Sequence, residues 1–155
     1  MNKAKVRTVG KEISSSLYEA RNMALHWVVD ASNVSVWLSF DTSDEYKDKI
    51  RFFSYPHSFS GAEIIPAISA DIKLLKTYTL QPGMQIDSVN GQNNTLFFFE
   101  SISGNGTYSY TDNLNLKQLI TDDIIKINYS FWWASAGTNL AWEIKYLTKT
   151  NIVDY

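Results

Sequence analysis

Two aromatic-loaded apolar segments near the C-terminus restrict this chain's fold more than any other feature. Ile124 to Trp133 is followed by a small-residue stretch, Ala134 to Asn139, and then by Leu140 to Tyr146. The pattern predicts a long β-hairpin that uses three of the five tryptophans. Along it, Tyr129, Phe131 and Trp133 share one face of the first strand, while Ser130 and Trp132 share the other. Leu140, Trp142, Ile144 and Tyr146 share one face of the second strand. Trp133 and Trp142 are thus expected in a core. Trp132 points the opposite way, which a monomeric sandwich accommodates least comfortably.

Upstream, further segments read as strands. Val34 to Phe40 alternates, with Val34, Val36, Leu38 and Phe40 on one side and Ser35, Trp37 and Ser39 on the other. Lys49 to Tyr55 is a strand stopped by Pro56, and Asp71 to Leu80 is one ended by Gln81, Pro82 and Gly83. Met84 to Val89 is short and runs into the turn pair Asn90-Gly91. Thr95 to Glu100 is apolar on both faces and is therefore expected to be central. Thr107 to Tyr110 follows a Gly-rich turn, and Leu114 to Ile120 fits either a strand or short helical turns. Eight to ten strands in 155 residues predict a single all-β domain, a jelly-roll-like antiparallel β-sandwich. Residues 12–24 carry Ile13, Leu17, Ala20 and Ala24 at helical spacing and predict a short N-terminal helix, which the Ser14 to Ser16 run weakens.

Charge divides the chain unevenly. Residues 1–11 hold Lys3, Lys5, Arg7 and Lys11 and no acidic group, whereas the rest holds all 16 acidic residues and ten of the 14 basic ones. This predicts a basic N-terminal arm, 1–11, ahead of a sandwich domain, 12–155. Such an arm ordinarily frays; its functional use would be docking on an acidic partner through those four cations. The net charge of −2 argues against nucleic-acid binding. The chain has no cysteine, which removes thiol chemistry, disulfides and Cys-ligated zinc. No signal peptide is expected, since Met1 to Lys11 is basic but has no apolar h-region behind it, and no apolar run is long enough to span a membrane.

Reactive constellations are not apparent. His26 and His57 lie apart without metal-ligand spacing, no serine sits in a nucleophile-elbow context, and Asp122 and Asp123, as strand neighbours, cannot face one another as a glycosidase pair. Asp41, Asp44 and Glu45 lack the order of an EF-hand loop. We therefore expect no enzyme activity, no cofactor and no metal. Aromatic platforms remain: Trp37, Trp132, Tyr108 and Tyr110 are candidates for an oligomer interface or for glycan contact, since Trp and Tyr are enriched in both settings. A β-rich pore-forming toxin would need a longer amphipathic Ser/Thr-rich segment than residues 101–113.

The closing hairpin resembles that of tailed-phage virion proteins of jelly-roll type. There, a strand with one or two aromatics, a small-residue loop and a strand of the form apolar-x-Trp-Glu/Gln-apolar-x-Tyr/Phe follow one another. Phe131 to Trp133, Ala134 to Asn139 and Ala141 to Tyr146 supply those parts, within about two dozen of the 155 residues. The resemblance implies a non-enzymatic capsid-decoration, head-fibre or tail protein. It would be made in the host cytoplasm, carried on the virion and assembled as a homo-oligomer, commonly a trimer, with other virion proteins as neighbours. The alternative is a carbohydrate- or receptor-binding module that recognises host-surface glycan. Neither reading involves nucleic acid or membrane.

Overall fold

The computed structural model describes residues 2–26, 35–55, 72–100, 106–113, 116–120, 123–131, 140–147, 150 and 152–154. The helix α1 spans Asn2–His26. Ten strands follow among the described residues: β1 Ser35–Asp41, β2 Lys49–Tyr55, β3 Lys73–Thr79, β4 Met84–Val89, β5 Asn94–Glu100, β6 Gly106–Asn113, β7 Leu116–Ile120, β8 Ile124–Phe131, β9 Leu140–Leu147 and β10 Ile152–Asp154. They form a six-stranded sheet in the order β3-β2-β1-β5-β6-β7 and a four-stranded sheet in the order β10-β9-β8-β4. Every pairing is antiparallel. The all-β sandwich is as expected, and β5 is central between β1 and β6. The jelly-roll winding, eight strands in two Greek keys, is not seen in this strand order.

Alternation builds the core. From the first sheet come Val36, Leu38 and Phe40 of β1, Ile50 and Phe52 of β2, and Phe97 and Phe99 of β5. From the second come Ile125, Ile127, Tyr129 and Phe131 of β8, Ile144 and Tyr146 of β9, and Met84, Ile86 and Val89 of β4. Phe97 meets Phe40 edge-on at 5.4 Å and reaches across to Tyr146 at 5.9 Å, so one ring stitches the sheets together.

The helix lies against both sheets, packing on β1, β2 and β5 of the first and on β8 and β9 of the second. Val9, Ile13, Leu17, Ala20 and Ala24 are fully buried on one stripe, while Arg7, Lys11, Ser15, Tyr18 and Asn22 face outward. This corrects two expectations. The arm 1–11 is not separate from the domain: the helix runs through residue 11 and already buries Val9. The Ser run does not interrupt it, because the Ser16 hydroxyl donates to the Glu12 carbonyl one turn back at 2.9 Å, which satisfies a polar group inside the packed stripe. Polar ties fix its flanks. Glu19 pairs with Lys76 of β3, Gln81 donates to the Glu12 carboxylate at 3.1 Å, and the Val153 amide of the edge strand β10 donates to the Tyr18 hydroxyl at 3.0 Å.

Two tight turns carry the chain from sheet to sheet. Pro82 and Gly83 (φ 85°) close a turn in which the Met84 amide donates to the Gln81 carbonyl at 3.0 Å, and β3 of the first sheet passes into β4 of the second. Asn90 and Gly91 both have positive φ, 49° and 76°, the signature of a two-residue hairpin turn. The Asn90 side chain and amide bind Lys126 of β8, each at 2.8 Å, and the chain then returns to the first sheet as β5.

Candidate functional site

The outer face of the first sheet contains Trp37, which stands opposite Phe53 of β2 and Phe98 of β5. Its ring meets Tyr55 at 5.2 Å, tilted by 52°, and Phe53, Leu96 and Ile72 pack around the pair. Trp37 is 1 % exposed. The expectation that it offers a platform to a glycan or a second subunit is therefore corrected: neighbours within the same chain bury it, forming a second, smaller core.

Farther along that face the character turns polar. The Arg51 guanidinium lies 3.6 Å from the centroid of the Tyr46 ring and 5.4 Å from that of Phe53, and it makes long 3.5 Å contacts with the Asp41 carboxylate and the Ser39 hydroxyl. Ser39 is buried beneath it. Asp41 also accepts from the Ser43 amide at 2.8 Å, and Asp44 pairs with Lys47. These carboxylates are thus engaged locally rather than gathered around a common point. Among the described residues no three or more His, Asp or Glu side chains could hold a metal ion.

The outer face of the second sheet is organised in rows by its register. Ile124, Leu147 and Ile152 stand side by side across β8, β9 and β10. Ile124 is 42 % and Ile152 51 % exposed. The next row is Lys126, Lys145 and Asp154, all exposed. Beyond it, the Asn128 amide donates to the Ser88 hydroxyl at 3.2 Å, and Asp87, in a bulge of β4, accepts from Gln85 at 2.9 Å and Ser130 at 3.0 Å. This network satisfies itself, leaving the apolar row, the charged row and the exposed Glu143, opposite Asn128, as open features of the face.

On the core-facing side of β9, Trp142 stands opposite Tyr129. Tyr129 is buried, and burial pushes its phenol up to about 12; Trp142 is 36 % exposed. The expectation that Trp142 belongs fully to the core is corrected: it lies on the predicted face but stays partly open to solvent. Burial, followed by the nearby Glu12 carboxylate, also raises the Tyr78 phenol. Both phenols stay neutral at ordinary pH and suit contact rather than proton transfer.

The other expected site residues are distributed widely. Arg7 and Lys11 are exposed on α1; Lys3 and Lys5 belong to the same helix, with side chains outside the described set. Tyr108 and Tyr110 stand on β6 opposite Phe97 and Thr95, and their side-chain surroundings also lie outside the described residues. So do Trp132, Trp133, the loop to Asn139, His57 and Asp122. The Trp37 cluster and the exposed Arg7 and Lys11 lie on different elements, the first sheet and α1. The row Ile124, Leu147 and Ile152 was missed in the sequence, although the doublet Ile124-Ile125 signals it: in an alternating strand one of two adjacent apolar residues must face outward. The chain matches no protein-family model, no curated protein and no solved structure.

Proposed function

We propose that this chain is a non-enzymatic structural protein of a tailed-phage particle, a capsid-decoration, head-fibre or tail component that works as a homo-oligomer. The supporting observation is the open face of the second sheet, where Ile124 and Ile152 are presented on a regular ladder. Apolar side chains held in this way gain when another surface displaces their water. The hairpin that carries the virion resemblance, β8 and β9, lies in the middle of this sheet.

Sedimentation equilibrium of the isolated chain tests the assembly, and mass spectrometry of gradient-purified particles tests the location. An oligomer that co-purifies with particles is expected; a strict monomer at high concentration, absent from particles, would overturn the reading. Docking through the basic end of α1 is tested by charge reversal at Lys3, Lys5, Arg7 and Lys11 rather than by deletion of residues 2–11, since deletion removes the buried Val9. The reversed chain should fold normally and lose particle attachment. Glycan recognition is the second reading, favoured by the exposed Trp142. A glycan array with Trp142→Ala as control separates the two.

A further inference from the structure

The charged row on the second sheet sets a problem within one chain. Lys126 and Lys145 stand directly opposite one another on neighbouring strands, an arrangement that like charges disfavour. Asp154 stands beside Lys145 on β10. The ion pairs among the described residues are Lys47–Asp44, Lys49–Asp48, Arg51–Asp41 and Lys76–Glu19, so none engages either lysine. The adjacent row is wholly apolar, with Ile124 and Ile152 exposed and Leu147 half-buried between them.

From this pattern we infer that the outer face of the second sheet binds a second copy of the chain about a two-fold axis running along β9. The inference rests on the homo-oligomer reading above and adds its interface and symmetry. Rotation about that axis keeps each row level and exchanges the strands on either side of β9. Ile124 of one copy then faces Ile152 of the other, twice, with Leu147 facing itself at the centre. In the charged row Lys126 faces Asp154, also twice. Lys145 meets its own copy on the axis, with Glu143 two residues along the same face to receive its ammonium. The patch is therefore self-complementary in its apolar row and in its two Lys126–Asp154 contacts, as an isologous interface requires, and the one like-charge contact, Lys145 with its own copy, lies on the axis between those two pairs. The two β9 strands run in the same direction, within the aligned class in which sheets stack about 10 Å apart. Lys126, which has only Lys145 beside it within one chain, gains in the dimer a facing carboxylate, Asp154 of the second copy.

A charge swap followed by sedimentation equilibrium tests this, with circular dichroism to verify folding. Lys126→Asp and Asp154→Lys should each weaken dimerisation by about tenfold or more, because each leaves two like-charged contacts across the axis. The double variant should recover affinity to within a few-fold of the original chain. A wild-type monomer would overturn both this inference and the homo-oligomer reading. A wild-type trimer, or a dimer indifferent to the single changes and the swap, would overturn the two-fold interface and leave the homo-oligomer reading standing.

Discussion

The two sheets treat their outer faces in opposite ways. The first has the main core beneath it and, around Trp37 and Tyr55, a second cluster above it, with Leu74 on the neighbouring strand β3 left 52 % exposed. The second is covered on one side only, and β8 reads as strictly alternating buried and exposed positions until Asn128. An aromatic on an outward position is thus no guide to a contact surface in this protein. Trp37, one of the two outward tryptophans read from the sequence, is sealed inside the chain, whereas the plainer Ile124 and Ile152 stand open. The partner surface proposed above lies on the half-covered sheet.

The largest expected effect tests the sealed half. Trp37→Ala should destabilise the monomer by about 3–5 kcal/mol, as loss of a large buried aromatic does; a denaturant titration showing less than about 1 kcal/mol would return Trp37 to the surface. Tyr129, on the covered face of the second sheet, gives a pH signature. Its phenol ionises near 10 when unfolded and at about 12 when folded, so the unfolded chain loses its proton first. Stability should be intact below pH 10 and fall by roughly 2 kcal/mol up to pH 12. Tyr129→Phe should flatten part of that loss.

Smaller effects sharpen the same contrast. The Thr95 hydroxyl, on the core side of β5, is fully buried and finds no hydrogen-bond partner among the described residues. Thr95→Val should stabilise by about 1 kcal/mol, because the uncompensated polar group is removed at nearly constant shape. Gly91→Ala meets no atom within 4 Å, so its cost comes only from the positive φ of the sheet-crossing turn, about 1 kcal/mol. On the open face, Ile152→Ser should change monomer stability by no more than about 0.5 kcal/mol while weakening self-association. A loss as large as that from Trp37→Ala would show that the second sheet is not open.

Much of the local structure could be read from the sequence. Lys49 to Tyr55 and Met84 to Val89 are strands with the predicted bounds, and the spacing of Ile13, Leu17, Ala20 and Ala24 named the buried side of the helix. The helix's first turns were hidden by Lys3, Lys5, Arg7 and Lys11. No acidic residue balances its first turn, and its stability comes from docking the apolar stripe rather than from local preference. Trp37 was misplaced because alternation reports only which way a residue points. What covers it, Tyr55, Leu96 and Ile72, arrives from distant strands and a loop. Asn90-Gly91 was recognised as a turn, but nothing local says that its two arms enter different sheets. The candidate surface was the least legible feature, since Ile124, Leu147 and Ile152 become one row only through the pairings of three strands.

Hydroxyl-radical footprinting of the intact chain across a concentration series tests the contrast most directly. Trp37 and Tyr55 should be protected at every concentration, while Ile124, Leu147 and Ile152 should react in dilute solution and become protected together as the chain is concentrated. A Trp37 that reacts in the folded chain, or an Ile124–Ile152 row whose labelling ignores concentration, would contradict it.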